Sequence, residues 1–278
     1  SDSDSNPSFH PGLLSHLADR LDLPSLTELG MRNDFTVDHF NQFVWPLRQY
    51  AWPLPDSHVA FGGTAHDWYG DMAWMISRLD PADPASLRLA VKGGHNDEMH
   101  NQNDVGSLIV VSKGRVVLTD PGRGRYSKAY FGPERYGNIM ASSRGHSVPV
   151  VNGHEQAEGV ERAASVVEHS HGPDGDVLAI DMAAAYPNAA GLTQLRRKVA
   201  LDRQAPGGRI TLSDGFAFAN GGGDFQSVLV TPLGVEIGAD GVRIGDAEGG
   251  VRVRFDPARV AVSTEIHRGV EKQYAPPV

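Results

Sequence analysis

From residue 71 onward the chain alternates short apolar segments with turn-forming residues, and this pattern constrains the fold more than any other feature. The segments are rich in Val, Ile and Leu, and they recur about every 8–12 residues with Gly, Asp or Pro between them. Such spacing is typical of an antiparallel β-sandwich. We therefore predict a mainly β protein with a large antiparallel β-sandwich over 71–278. The predicted strands are 73–79, 87–91, 108–111, 115–118, 148–151, 166–167, 177–180, 197–201, 209–212, 227–231, 234–237, 242–244, 251–255 and 260–264.

The stretch before residue 71 follows a helical pattern. Four leucines within 13–21 fall on one face of a predicted helix, and 35–52 places apolar residues at helical intervals. These apolar faces have too little partner material of their own. We therefore predict that 1–70 is the end of, or the packing surface for, a larger helical domain, with 62–70 as the linker to the sandwich.

Composition excludes several classes of function. The chain has no cysteine, so disulfides, thiolate metal sites and a cysteine nucleophile are excluded. No apolar run approaches the roughly 18 residues of a membrane span, and we expect a soluble protein, secreted or periplasmic rather than cytoplasmic. A net charge of −9 argues against general nucleic-acid binding. We expect the polar start, Ser1 to Ser5, to be disordered, as in a processed product or a fragment.

Positive charge is concentrated in one part of this acidic chain. Between Lys113 and His146 there are seven basic residues and two acidic ones. A basic strip on an acidic protein suits an acidic substrate. A set of solvated loop arginines explains the same pattern, and charge alone does not separate the two.

The most polar stretch is residues 92–106, which we call the polar block. It lies between two predicted strands and is rich in His, Asn, Asp and Gly. In an extended backbone His100, Gln102 and Asp104 would share one face. A pure connecting loop rarely needs this composition, so we expect the block to bind something.

Two later positions extend the polar block into a candidate metal site. Asp120 ends a predicted strand, and His146 immediately precedes another. A sheet surface that joins the amide oxygen of Gln102, the Asp120 carboxylate and the His146 imidazole could hold Zn²⁺ or another divalent ion. From spacing alone, a plain turn at Asp120 stays an open alternative.

Three ordered blocks resemble the core signature of heparinase II/III-like polysaccharide lyases. That signature combines a GGHN…HNHND-G block, a strand that ends in D-P/A-G-x-G-x-Y, and a G-H-N/S-x-P-x-x-N/D-G block. The resemblance implies the family's C-terminal β-sandwich, preceded here by a short helical remnant of an α/α-toroid domain. The matching segments lie within about 71–156 and are Lys92 to Gly106, Thr119 to Gly122, and Ser142 to Gly153.

The resemblance also implies roles for individual residues. Gln102 stands where the family usually has His, and an amide oxygen binds Zn²⁺ more weakly than an imidazole does, so calcium is the alternative to zinc. Tyr136 falls where related lyases place an active-site tyrosine, with Tyr126 and Tyr130 as rivals. The expected site residues are His100 and Tyr136 as catalytic, His95, Asn101 and Arg135 as substrate-binding, and Gln102, Asp120 and His146 as metal ligands.

The implied activity is β-elimination on a uronic-acid-containing glycan, with an acidic polysaccharide as substrate. The rest of the site would come from the toroid domain, in the same chain or as a cleaved partner. The main alternative is a non-catalytic glycan-binding or metal-stabilised β-sandwich module. A cupin-like metal enzyme is less favoured, because its first block usually carries more than one His.

Other histidines lie outside these assignments. His95 either lines the cleft or caps its strand, and both alternatives stay open. His169, His171 and His267 belong to no recognised block. We expect these three to be exposed to solvent.

Overall fold

The computed structural model describes residues 11–27, 51–52 and 63–270. The chain divides into a helical unit and a β unit, which begins at Thr64. In the helical unit, α1 spans Pro11–Leu21, which confirms the first predicted helix. Most of the second predicted helix, and the polar start, lie outside the described residues. Within the described parts of the chain, no helix is both long and apolar enough to cross a membrane.

The β unit is built from short strands joined by tight turns, and every strand pair is antiparallel. The turn at Lys113 and Gly114 has positive φ at both residues, as a two-residue hairpin requires. The strands are β1 His66–Tyr69, β2 Trp74–Arg78, β3 Arg88–Val91, β4 His95–Asn96, β5 Leu108–Ser112, β6 Arg115–Leu118, β7 Val150–Val151, β8 Gly159–Ala163, β9 Ser165–Gly172, β10 Gly175–Asp181, β11 Leu192–Asp202, β12 Arg209–Phe218, β13 Phe225–Gln226, β14 Val235–Ile237, β15 Gly241–Asp246 and β16 Gly249–Arg254.

Two larger sheets and three smaller ones contain these strands. One sheet has the order β1-β2-β3-β5-β6, and the other has the order β12-β11-β10-β9. The smaller sheets are β14-β15-β16, β13-β7 and β4-β8. β1 and β9 are therefore edge strands of different sheets.

One hydrophobic core joins the two larger sheets. Along β11 burial alternates, so that every second residue from Leu195 to Leu201 is buried, Arg197 included, while Arg196, Lys198 and Ala200 are more exposed. The buried apolar residues are Leu195, Val199 and Leu201. These side chains share a cluster with Met75 and Leu89 of the other sheet. The fold is thus a mainly β, antiparallel β-sandwich preceded by a short helix, as predicted. That the helix is a toroid remnant stays a prediction.

The structure adds β4, β8 and β13, which were not predicted, and it contradicts the predicted elements at three places. Part of the predicted linker 62–70 is strand β1, which pairs with β2 along its whole length. The stretch 227–231 is not a strand, because the Val230 N–H donates to a side-chain oxygen, that of Ser147, instead of joining a ladder. The stretch 260–264 is exposed and also forms no strand.

Candidate functional site

The polar block is largely a buried loop rather than an extended strand. Gln102, Asn103 and Asp104 are each at most 2% exposed, whereas His100 is exposed and has φ of 59°. The predicted sharing of one face by His100, Gln102 and Asp104 is therefore wrong. The physical reason is that the backbone turns at His100, where φ is positive. A second turn ends the polar block at Gly106, where φ is 87° and an added Cβ would lie 2.6 Å from the Met182 sulfur.

Three hydrogen-bond acceptors converge below this loop. His146 Nδ1 lies 2.9 Å from the Ser142 carbonyl oxygen, which can only accept, so Nδ1 carries a proton and a neutral ring keeps its lone pair on Nε2. That Nε2 is 3.2 Å from Gln102 Oε1 and 4.0 Å from the nearest Asp120 carboxylate oxygen. This arrangement of acceptor atoms suits a bound cation.

The orientation of the Gln102 amide is fixed by its own hydrogen bonds. Its Nε2 donates to the carbonyl oxygens of Gly122 and Met140, at 2.7 Å each. Two acceptors on that side place the amide oxygen toward His146. The sequence-predicted trio of Gln102, Asp120 and His146 is therefore brought together. The turn at Asp120 is also present, since the Gly122 N–H donates to its carboxylate at 2.7 Å.

Asp104 joins this group, although the sequence analysis assigned it no role. One ligand atom each from Asp104, Asp120 and His146 lies within 4.8 Å of the others. Asp104 also accepts a hydrogen bond from Lys92 Nζ at 2.5 Å. Burial lowers the pKa of Lys92, but attraction to Asp104 and Glu98 outweighs it and leaves the pKa raised. Asp104 lies two residues after Gln102, and this spacing is the sequence signal that could have identified it.

A buried arginine from the opposite sheet holds the two site segments together. Arg197 is fully buried, and its Nη1 donates to the carbonyl oxygens of Gly106 at 2.9 Å and Ser147 at 2.7 Å. Its Nε and Nη2 bind the Asp214 carboxylate at 2.8 Å each. Arg197 thus joins the end of the polar block to the residue after His146. The sequence pattern predicted only the strand on which Arg197 lies.

A second anchor is the buried side chain of Gln156. Its Oε1 accepts from Asn96 Nδ2 and from the Val105 N–H, at 3.0 Å each. Its Nε2 donates to the Val105 carbonyl at 2.7 Å. The buried amides of this region therefore fix the backbone of the polar block.

Above the buried group lies a more exposed aromatic surface, which we define as Tyr126 and Phe131 with His100. His100 Nδ1 is 3.3 Å from the Tyr126 hydroxyl, and Phe131 is 56% exposed. Tyr136 is half-buried, and its hydroxyl accepts from Asn101 Nδ2 at 3.1 Å. Tyr126 also lines an open cavity of about 560 Å³. His100 and Phe131 are thus exposed where a large ligand can reach them, and Tyr136 is tied to the same loop through Asn101.

Two candidates have structural roles instead. The Arg135 side chain is buried, and its guanidinium donates to the carbonyl oxygens of Asn101 and Tyr130. Arg135 is therefore not placed to bind a substrate directly, because its N–H groups donate to carbonyl oxygens of the loop backbone. Tyr130 is 1% exposed beneath the same guanidinium, which removes it as a rival to Tyr136.

The remaining candidates lie at the edge of the site. His95 is half-buried in β4, and its Nδ1 accepts from the Asp97 N–H at 3.1 Å, which fits the capping alternative. Two arginines of the basic strip are paired with carboxylates. Arg115 pairs with Asp246, whereas Arg144 pairs with Glu155.

Comparisons with known proteins agree with this architecture. By structure, the chain is similar to the heparan sulfate lyase HepC from Pedobacter heparinus, with 14% identity and a TM-score of 0.60, covering 86% of this chain and 33% of that one. It is also similar to a heparinase III structure, with 13% identity and a TM-score of 0.55, covering 86% of this chain and 44% of that one. The chain thus spans less than half the length of either protein. A search of curated proteins gave no match.

At these identities the structural likeness shows the fold alone. The sequence itself carries the family assignment. The family model described as "Heparinase II/III-like, C-terminal" matches residues 62–228, well over half of the chain. The chain belongs to the heparinase II/III-like C-terminal family.

Proposed function

We propose that this chain is the C-terminal part of a polysaccharide lyase that cleaves a uronic-acid-containing glycan by β-elimination. The observation that carries the proposal is the exposed His100 beside Tyr126 and Phe131, with Tyr136 joined to the same loop through Asn101 and with buried polar groups beneath that loop. Family membership and the fold shared with heparan sulfate and heparin lyases support it.

The elimination has simple requirements. The C5–H and C4–O4 bonds break, a C4=C5 double bond forms, and the departing O4 takes up a proton. The C5 proton becomes acidic enough only when the neighbouring carboxylate is neutralised by donors. We assign the Tyr136 hydroxyl to proton transfer and the His100 imidazole to the uronate carboxylate or to proton transfer. Asn101 positions Tyr136 through its amide.

The remaining groups would come from a second domain. In this proposal, an N-terminal toroid supplies the principal base and further carboxylate-neutralising donors, in the same polypeptide or as a cleaved partner. This chain covers only 33% and 44% of the two lyases to which it is similar. The acidic polysaccharide would then lie between that domain and the aromatic surface.

We expect the isolated 278-residue chain to show little or no elimination, because part of the machinery is outside it. The polypeptide that includes the N-terminal domain should release unsaturated uronate from at least one of heparan sulfate, alginate and ulvan. Ultraviolet absorbance of the C4=C5 product measures both. Robust turnover by the isolated chain contradicts the shared site, and failure of the longer polypeptide on all uronate polymers contradicts the lyase proposal.

A divalent cation is the second part of the proposal. The residues fit one: Gln102 Oε1, His146 Nε2 and an Asp120 oxygen converge as acceptors, and Asp104 is close enough to be a fourth ligand. Zinc is the first choice, with calcium as the alternative because oxygen ligands predominate. When bound, such a cation would tie the polar block to the sheet, so its role is structural more than chemical.

Metal removal should lower stability before it affects chemistry. We expect a divalent metal to co-purify and a chelator to lower Tm, by roughly 2–4 °C for each kcal/mol of lost binding free energy. Asp120→Asn should reproduce the chelator effect, whereas the exposed control Asp97→Asn should not. Elemental analysis with melting curves makes the measurement. An unchanged Tm with no co-purified metal means that these residues form a hydrogen-bonded polar cluster and that the metal proposal is wrong.

A non-catalytic glycan-binding module is the alternative function. The exposed Phe131 beside Tyr126 favours it, since aromatic faces pack on sugar rings. Binding of a uronate polymer without any unsaturated product, in the polypeptide with its N-terminal domain, distinguishes this alternative.

A further inference from the structure

Three histidines outside the polar block lie close together at the edges of the two larger sheets. His66 lies in edge strand β1, and His169 and His171 lie two residues apart in edge strand β9, so both point to the same face. His66 Nε2 and His169 Nε2 are 3.1 Å apart. His171 stacks on His66 with ring centroids 4.5 Å apart. The expectation that His169 is simply exposed to solvent is therefore wrong, since it is half-buried against Trp68.

A buried carboxylate orients the first of these rings. Asp176 is buried, and its Oδ2 lies 3.5 Å from His66 Nδ1. Asp176 is itself fixed by the Arg203 guanidinium and the Ser77 hydroxyl. His66 thus presents Nδ1 to the carboxylate and Nε2 to His169. A carboxylate behind a histidine is the usual support for a metal-binding imidazole.

The spacing of the two Nε2 atoms suits a shared cation. Metal–imidazole bonds of about 2.0–2.1 Å place two neighbouring nitrogens of one metal roughly 3–3.4 Å apart. The observed 3.1 Å falls in that range. His171 is exposed, so rotation of its side chain can add a third nitrogen without disturbing the core.

We propose that His66, His169 and His171 form a second metal site, for an imidazole-preferring cation such as Zn²⁺, Cu²⁺ or Ni²⁺. This site is built on different strands from the Gln102, Asp120 and His146 group and does not depend on the lyase proposal. It joins β1 of one sheet to β9 of the other, so metal binding cross-links the two sheet edges. Its effect is on stability, because the metal binds only the folded arrangement.

The test uses the 278-residue chain freed of metal, with Zn²⁺ or Cu²⁺ as the probe. Zn²⁺ should bind in calorimetry and raise Tm, and the effect should persist in Asp120→Asn. His169→Gln and His171→Gln, which alter partly or fully exposed side chains, should each weaken this Zn²⁺ binding at least about tenfold. The matched control is the exposed His267→Gln, which should bind as the wild type does.

Fluorescence locates the bound ion. The Trp68 ring stacks on His169 at 4.0 Å between centroids, so bound Cu²⁺ should quench Trp68 emission. The quenched component should disappear in Trp68→Phe and require higher Cu²⁺ concentrations in His169→Gln. Absence of Zn²⁺ binding in the wild type, or unchanged binding and quenching in His169→Gln and His171→Gln, overturns the proposal and leaves a hydrogen-bonded histidine cluster.

Discussion

Replacing Tyr136 by phenylalanine is expected to lower kcat of elimination by about 100-fold to 10,000-fold, the usual loss when a positioned acid or base is removed. The polypeptide with its N-terminal domain is the enzyme to assay. Folding should be nearly unaffected, because the change removes one hydrogen bond, from Asn101, worth about 1 kcal/mol. A fall in kcat with little change in KM, at an unchanged melting curve, is the expected result.

Two further variants separate Tyr136 from its neighbours. His100→Ala should also abolish elimination without unfolding the protein, because His100 is exposed. Tyr126→Phe tests the remaining rival, whose hydroxyl contacts His100. Tyr69→Phe, on the exposed end of β1, is the control. Wild-type turnover by Tyr136→Phe together with loss in Tyr126→Phe would transfer the catalytic role to Tyr126.

Arg197→Leu is expected to destabilise the β unit by about 3–5 kcal/mol, because it leaves the Asp214 carboxylate buried without its partner. The neighbouring Arg196→Leu is the matched control. Arg196 is largely exposed and lies 3.8 Å from Asp181, so its loss should change the free energy of unfolding by about 0.5 kcal/mol or less. Urea unfolding of both variants measures the difference.

The double variant Arg197→Leu with Asp214→Leu tests the reason for this loss. Removal of both charges should recover part of the stability, because no buried charge is then left unpaired. Equal effects of Arg197→Leu and Arg196→Leu would show that the buried pair does not hold the sandwich together. Recovery of stability without recovery of activity would locate the role of Arg197 in positioning Gly106 and Ser147.

The sequence by itself determined the β-sandwich and much of the buried site. Alternation of apolar residues and the turn residues between them are local properties, and they predicted β2, β3, β5 and β6 with their hairpins. The three family blocks predicted the meeting of Gln102, Asp120 and His146, and the structure brings these side chains together.

Tertiary structure decided what local patterns do not encode. The buried contacts of Arg135, the clamp by Arg197 and the meeting of His66 with His169 depend on which backbone groups and strands become neighbours. A charged side chain has the same sequence signature whether it faces solvent or a buried carbonyl oxygen. β1 was missed for the same reason, since its polar residues gain their pattern only from pairing with β2. Long-range packing, rather than local propensity, sets these positions.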